Sequence, residues 1–160
     1  MLKKLLTRKQ YDSWIKNMPA GTCTFCDWKD TQVVLKEFDN WVWIANISPY
    51  WWWHTLIMSK RHFVEFDDMT FKEASELPTV LAFTKKKFID AKLVLANGKV
   101  ADRYVYFWRM RVDWRDTETG AIKPDHFHLH LAPDIDHSWD PILNKDAYKC
   151  DVIGKLGEKE

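Results

Sequence analysis

The sequence predicts an α+β domain: an antiparallel β-sheet of about five strands with a long helix packed on it. Two observations lead to this prediction. Runs of β-forming residues lie on both sides of one long helical segment, and nothing in the chain looks like a βαβ unit. At 160 residues the chain is long enough to bury a real core, and residues 1–160 are most economically a single domain.

The first half of the chain supplies a short helix and three strands. Residues 7–18 space their apolar side chains at helical intervals, which predicts a short amphipathic helix. Asp39 and Asn40 form a turn pair between two runs rich in β-branched and aromatic residues, and this pattern predicts a hairpin. The runs predicted as strands are 31–38, 41–47 and 54–59.

The second half supplies the long helix and two more strands. Thr70 and Glu73 have the spacing of a capping box, so a helix is expected to begin there and to run to about Ala91. Pro78 lies inside this segment, where a kink or a restart is expected. The last two runs predicted as strands are 103–113 and 125–132, with a polar loop at 116–124 between them.

The composition argues against several classes of function. The chain carries 24 Lys and Arg against 23 Asp and Glu, a formal net charge of +1, so no global field recruits nucleic acid or an anionic membrane. No apolar window approaches the length that spans a bilayer. Three cysteines, two of them in a C-x-x-C, do not fit a disulfide-stapled secreted domain. We therefore expect a soluble cytoplasmic protein without a membrane partner or an extended nucleic-acid surface.

Three of the six histidines share one short segment. His126, His128 and His130 alternate with apolar residues in the run "HFHLHLA", so on a strand their side chains would point to one face. From these residues alone three interpretations are open: a polar face without a role, a metal site built on H-x-H, or nucleophilic catalysis by one imidazole. Because a solvated face can use any polar residue, repeated imidazole favours chemistry.

The C-x-x-C of Cys23 and Cys26 also has three interpretations: a redox motif, part of a metal site, or two unpaired buried cysteines. A redox motif would normally open a helix beside a βαβ unit, and this chain offers none, so metal binding is favoured. Cys150 has no partner in the sequence and is expected to be a packing residue.

Three motifs, taken in order, resemble the histidine triad (HIT) family over residues 20–135. The first is the C-x-x-C. The second is the family's Gly-His-x-Leu-x-x-x-Pro-Lys-x-His-like string, which reads here from Trp53 to His62, with Ser59 where proline is usual. The third is the hallmark H-φ-H-φ-H-φ-φ, with φ apolar, which reads here from His126 to Ala132. The resemblance implies a HIT-like core at 20–135, flanked by an N-terminal helix and a C-terminal tail.

The resemblance implies a reaction at an α-phosphate through a covalent nucleotidyl-histidine. The family's middle triad histidine is the nucleophile, and it matches His128. A neutral imidazole suits this role, because it is both a good nucleophile and a good leaving group at about pH 7. By the same resemblance, His130 and His54 would donate hydrogen bonds to phosphate oxygens or to the leaving group. The expected protein is a nucleotide hydrolase, phosphoramidase or nucleotidyltransferase.

The resemblance also suggests which residues hold the nucleotide. Asn46 matches a position that contacts the ribose hydroxyls, or else its side chain hydrogen-bonds to the backbone of a nearby turn. Ile44 and some of Tyr50–Trp53 would wall the base, or they are ordinary core or lid residues. Lys123 replaces the serine of the family's phosphate-holding lead-in, and it either holds phosphate as a point charge or faces solvent. Because this lead-in, Ala121–Asp125, differs from the family pattern, the alternative function is a catalytically silent module that binds a nucleotide or a partner.

Zinc is the cofactor that the resemblance implies. Zinc-containing family members, and the related galactose-1-phosphate uridylyltransferases, hold a structural Zn²⁺ with a C-x-x-C and two histidines. The matching residues here are Cys23, Cys26, His62 and His126. Two thiolates and two imidazoles close a tetrahedral site, which is structural rather than catalytic. Family members commonly pair through a shared sheet, so a homodimer is expected. The strand at 103–113 is a candidate for the dimer interface, or else it is simply core.

Overall fold

The computed structural model describes residues 4–108, 113–115, 122–133 and 144–157. Its helices are α1 (Arg8–Lys16), α2 (Trp28–Thr31), α3 (Phe71–Ala91) and α4 (Val152–Leu156). Its strands are β1 (Val33–Glu37), β2 (Trp41–Ala45), β3 (Thr55–Ser59), β4 (Tyr104–Phe107), β5 (Asp113–Arg115), β6 (Ile122–Pro124) and β7 (His128–Pro133). Within these residues no helix combines the length and the apolar character that crossing a bilayer requires.

Five of the strands form one antiparallel sheet in the order β1-β2-β3-β7-β4. β1 and β2 are the predicted hairpin, and the N–H of Phe38 donates to the carbonyl of Trp41 at 2.9 Å to close its turn. The carboxylate of Glu76 on α3 accepts the backbone N–H groups of Asp39 and Asn40 at 2.9 and 2.8 Å, which ties the turn to the helix. The predicted class, an antiparallel sheet of five strands with a long helix, is confirmed.

The long helix begins at the predicted capping box. Thr70 Oγ1 accepts the N–H of Glu73 at 3.3 Å, and the Glu73 carboxylate accepts the N–H of Thr70 at 2.7 Å. The restart considered at Pro78 is wrong, because α3 continues as one helix to Ala91. The kink considered there stays a prediction. Leu77 and Val80 are buried on either side of the exposed Pro78, so packing against the sheet carries the helix past it.

Different groups of residues lie on the two faces of the sheet. α3 covers one face, where it meets the main core that includes Trp43, Ile57 and Leu131. The other face carries a smaller apolar cluster of Trp28, Val42, Ile44, Leu56 and Met58. The strand register places two histidines on this second face, because His130 is paired with Leu56 and His128 with Met58. The predicted shared face is therefore confirmed for His128 and His130, whereas His126 lies before the start of β7.

The strand predicted over 103–113 is shorter than expected. β4 ends at Phe107, Trp108 lies outside any strand, and residues 109–112 fall outside the described residues. The ladder between β4 and β7 stops at the pair of Phe107 and His130. The ring of Trp108 instead lies against that of Phe66, tilted by 33° with the centroids 5.5 Å apart.

The strand predicted over 125–132 begins later, at His128. Just before that point the N–H of Phe127 donates to the carbonyl of Phe63 at 2.7 Å, whereas its carbonyl still accepts the N–H of Ser59 on β3 at 3.3 Å. The polar loop predicted at 116–124 is also corrected, because its end forms β6, which pairs with β5 in a separate two-stranded sheet.

Candidate active site and metal centre

Two cysteines and two histidines from distant parts of the chain meet in one cluster. The candidate ligand atoms of Cys23, Cys26, His62 and His126 all lie within 4.8 Å of one another. Cys26 Sγ lies 3.3 Å from Nδ1 of His62, and Cys23 Sγ lies 3.4 Å from Nδ1 of His126. The structure therefore brings together all four residues that the sequence predicted as metal ligands.

Backbone and side-chain contacts orient the two imidazoles of this cluster. His126 donates its Nε2 proton to the carbonyl of Ser59 at 2.8 Å, which leaves the lone pair on Nδ1 pointing at the thiols. The loop that carries His62 is held by its neighbour Arg61, whose guanidinium donates to both carboxylate oxygens of Glu73 at 3.0 and 2.8 Å. A bidentate ion pair of this kind neutralises both charges and also fixes the position of the loop.

The donor set fits a zinc ion. Burial lowers the pKa of His126 to about 4, so its imidazole is neutral, as a ligand must be. Burial, and then a hydrogen bond with Cys23, raise the pKa of the Cys26 thiol to about 11, and a bound divalent cation would reverse this by holding the thiolate. Two thiolates and two imidazoles complete the tetrahedral shell that Zn²⁺ prefers in structural sites.

His128 lies beside the metal cluster and is oriented by it. Its Nδ1 donates to the backbone carbonyl of His126 at 2.6 Å, which places the ring's lone pair on Nε2. The ring of Phe25, from the loop between the two cysteines, lies 5.0 Å from that of His128. The carbonyl of a candidate metal ligand therefore sets the tautomer of the candidate nucleophile.

His54 and His130 form a hydrogen-bonded pair whose tautomers the backbone sets. The N–H of Tyr50 donates to Nδ1 of His54 at 3.2 Å, so the proton of that ring lies on Nε2. Nε2 of His54 then donates to Nδ1 of His130 at 2.9 Å, which places the proton of His130 on its own Nε2. Both rings are buried, with 1% and 5% of their surface exposed. The arrangement holds a ring N–H donor on the face that also carries His128.

Aromatic rings pack around this pair. Phe107 stacks on His130 with ring centroids 4.5 Å apart and planes 4° apart. Trp51 lies 4.7 Å from His54 and meets Phe107 edge to face at 5.5 Å. Sequence reasoning did not assign Phe107 or the pair of Arg61 and Glu73 to the site, because their contacts depend on strand register and on loops distant in sequence.

The residues predicted to bind a nucleotide are placed differently from one another. Asn46 is buried, and its Nδ2 lies 3.1 Å from Nδ1 of His54 while its Oδ1 accepts the N–H of Ser48 at 3.0 Å. Ile44 is fully buried in the smaller apolar cluster on the histidine face. The side chain of Lys123 lies outside the described residues, although its backbone belongs to β6.

Comparisons with known proteins agree on one family. A family model described as "HIT domain" matches residues 29–137. No curated protein matches the sequence. A HIT family hydrolase from Clostridium thermocellum superposes with a TM-score of 0.51 at 19% identity, covering 75% of this chain and 96% of that one.

Two further solved structures are similar to the chain. A galT-like protein from Arabidopsis thaliana superposes with a TM-score of 0.55 at 18% identity, covering 87% of this chain and 46% of that one. A Zn-bound histidine triad family protein from Mycobacterium smegmatis has a TM-score of 0.50 at 18% identity, covering 84% of this chain and 93% of that one. At these identities the superpositions support the fold.

Proposed function

The chain belongs to the HIT family, and from this premise we propose that it is a nucleotide hydrolase or nucleotidyltransferase that works through a nucleotidyl-histidine on His128. The observation that carries the proposal is the hydrogen bond from Nδ1 of His128 to the carbonyl of His126. It holds the proton of the neutral imidazole on Nδ1 and so places the lone pair on Nε2, which is the tautomer that a nucleophile requires.

The reaction has two steps at phosphorus. Nε2 of His128 attacks the α-phosphorus, and the bond from phosphorus to the leaving group breaks as the P–N bond forms. The leaving group, an amine or a phosphate, takes a proton from solvent as it departs. Water, or another acceptor in a transfer reaction, then attacks phosphorus, loses its proton to solvent and releases His128 with the electron pair of the P–N bond. The adduct breaks readily because its imidazole ring, with a proton on Nδ1, carries a positive charge and departs as a neutral imidazole.

His130 and His54 act on the charge that develops during both steps. With the proton of His130 on Nε2, this ring donates to a phosphate oxygen or to the leaving group, where negative charge increases in the transition state. His54 acts indirectly, because its hydrogen bond to His130 fixes the tautomer of that ring. Phe107, stacked on His130, keeps the ring in one plane.

Intact mass measurement tests this reaction. Wild type and His128→Ala are mixed with adenosine phosphoramidate and quenched rapidly in acid, because hydrolysis can outrun accumulation of the adduct. We expect a mass gain of one adenylyl group in wild type alone. Turnover of the substrate by wild type with no adduct at any quench time, or equal turnover by His128→Ala, would refute covalent catalysis at His128.

We also propose that Cys23, Cys26, His62 and His126 hold a structural zinc ion. The proximity of their ligand atoms and the orientation of His126 support this assignment. The ion would tie the N-terminal loop to the triad segment, and so help to hold the His126 carbonyl against His128. Because thiolate ligands must stay reduced, we further propose a reducing, cytoplasmic compartment.

A homodimer through β4 is the assembly we propose. β4 forms one edge of the five-stranded sheet, where its outer N–H and C=O groups can pair with a second copy. Val105 and Trp108 at this edge are 39% and 48% exposed, so pairing would bury apolar surface as well. An antiparallel edge is compatible with a two-fold axis, which pairs the same strand of both protomers.

The alternative function is a catalytically silent module that binds a nucleotide or a partner. The altered lead-in, Ala121–Asp125, favours it, because lysine and proline replace residues that hold phosphate in the family. Calorimetric titration with AMP separates the two functions. Nucleotide affinity without turnover, equal in wild type and His128→Ala, would favour the silent module.

A further inference from the structure

We infer that Trp53 is a positioning residue for His54, which it holds through a strained loop fastened to two other parts of the chain. The inference rests on the proposed function, because His54 matters only if the triad reacts. Trp53 directly precedes His54 and has φ of +62°, in the left-handed region. Among the described residues, the other non-glycine with positive φ is Lys92, at the end of α3. A large aromatic residue rarely adopts this conformation.

The indole of Trp53 fastens the loop to the segment between α3 and β4. Its Nε1–H donates to the carbonyl of Val94 at 2.8 Å, and the side chain is 8% exposed within the main core. Val94 is itself fixed, because it bridges to Val100 across a tight turn. The ring therefore cannot leave without breaking a hydrogen bond and opening the core.

The C-terminal segment packs beside Trp53. Cys150 packs against the main core that includes Trp53, and a hydrogen bond from the Trp53 backbone opposes the rise in the pKa of the Cys150 thiol that burial causes. This segment continues into α4, whose Val152 and Leu156 are buried in the main core. Three parts of the chain thus meet at Trp53: the loop of His54, the α3–β4 connection and the C-terminal segment.

The strained turn controls the hydrogen bond that sets the tautomer of His54. The N–H of His54 donates to the carbonyl of Trp51 at 3.3 Å, and the N–H of Tyr50 reaches Nδ1 of His54 at 3.2 Å. These bonds require the chain to turn back sharply, and the left-handed conformation of Trp53 makes the turn. Glycine would adopt this φ without strain but would supply no anchor. Trp53 therefore restricts the loop to the one shape in which Tyr50 meets His54.

Two variants and a neighbouring control test this inference. Trp53→Phe keeps a buried ring but loses the bond to Val94, whereas Trp53→Gly removes both the ring and the strain. Trp52→Phe is the control, because the buried Nε1 of Trp52 finds no acceptor among the described residues. Hydrolysis of adenosine phosphoramidate gives kcat and KM, and ¹⁵N NMR of the histidine rings gives the tautomer of His54 in the absence of substrate.

We expect kcat to fall about tenfold in Trp53→Phe and about 100-fold in Trp53→Gly, with KM changed less than about threefold. The ¹⁵N shifts of His54 should move toward those of a mixture of tautomers in both variants and stay unchanged in Trp52→Phe. Wild-type kcat and wild-type His54 shifts in Trp53→Gly would overturn the inference. If Trp53→Gly does not fold, the same result in Trp53→Phe overturns it.

The NMR measurement separates this inference from the proposed function. If wild type turns over no substrate and forms no adduct, the proposed function fails, whereas the His54 shifts still report whether Trp53 fixes the ring. Unchanged shifts in both folded variants would show that Trp53 has no positioning role, whatever the activity.

Discussion

Nε2 of His54 lies 2.9 Å from Nδ1 of His130, although the two residues are 76 positions apart in the chain. The pairing of β3 with β7 makes this contact, because Leu56 stands opposite His130 and His54 lies just before the same strand. The contact extends a chain of hydrogen bonds that begins at the N–H of Tyr50. A backbone amide can only donate, so it selects one tautomer of the neutral His54 ring and, through that ring, one tautomer of the neutral His130 ring.

Replacing His54 should slow chemistry more than binding. In His54→Ala, His130 loses the donor that fixes its tautomer, so we expect kcat to fall about 100-fold with KM changed less than about threefold. Steady-state hydrolysis of adenosine phosphoramidate measures both constants. An unchanged kcat would contradict the role proposed for the histidine pair.

Asn46 has two candidate roles that one experiment separates. If its amide contacts the ribose, wild type should prefer adenosine over deoxyadenosine phosphoramidate, and Asn46→Ala should lose that preference. If Asn46 instead steadies His54, as its 3.1 Å contact indicates, kcat should fall about tenfold for both substrates and the preference should remain. The ratio of kcat/KM for the two substrates in each protein is the measurement.

Removing one thiolate should release the metal. We expect wild type to carry one zinc ion per chain and Cys23→Ser to bind zinc at least about 100-fold more weakly, with a lower Tm, because a structural site needs its full ligand set. Elemental analysis and competition with a chelator measure this. Cys150→Ser is the matched control, since Cys150 lies outside the cluster, and it should retain the metal. Full zinc content in Cys23→Ser would refute the assignment.

Glu73 should contribute to stability in a pH-dependent way. Burial opposes its ionisation, but hydrogen bonds from Arg61 and Thr70 outweigh this and lower its pKa. A carboxylate whose pKa is lowered by folding stabilises the fold above its unfolded pKa of about 4.3, and this contribution disappears as the pH falls through the folded value.

Glu73→Gln should therefore lower the free energy of unfolding by about 2 kcal/mol at neutral pH, because hydrogen bonds to a charged group are lost. The difference in the free energy of unfolding between wild type and Glu73→Gln should become smaller as the pH falls below about 4.3. Urea denaturation at several pH values measures this. Glu37→Gln is the control: its partner Lys60 lies 2.6 Å away, but Glu37 is half exposed, so we expect a loss of less than about 1 kcal/mol. If the difference in the free energy of unfolding between wild type and Glu73→Gln did not change with pH, the role of the Glu73 carboxylate would be contradicted.

The proposed dimer depends on the exposed edge of β4. Val105→Lys would place a charge at the seam of two like strands, so we expect the dissociation constant of the dimer to rise at least about tenfold. Light scattering at several protein concentrations measures it. Phe71→Lys is the control, because Phe71 is 86% exposed at the start of α3, away from this edge. Wild type that stays monomeric at high concentration would refute the dimer.

Local sequence patterns determined the elements of the fold. The turn at Asp39 and Asn40, the capping box of Thr70 and Glu73, and the alternation of His128 and His130 with apolar residues are all read correctly from spacing. These features depend on neighbours a few residues away, whose conformational preferences act without the rest of the chain. The ends of β4 and β7 were read incorrectly, because they depend on hydrogen bonds to distant segments: β4 ends at Phe107, although β7 continues to His128 beside β3.

Only the tertiary structure decided how the histidine rings are oriented. A resemblance predicted from the sequence that Cys23, Cys26 and His62 share a metal site. The bidentate pair of Arg61 with Glu73, however, has no signature in the sequence. A ring tautomer depends on which donor or acceptor meets each nitrogen, and those partners come from segments that fold together from far apart. The proposed chemistry therefore depends on backbone groups such as the carbonyl of His126, which no residue pattern can identify.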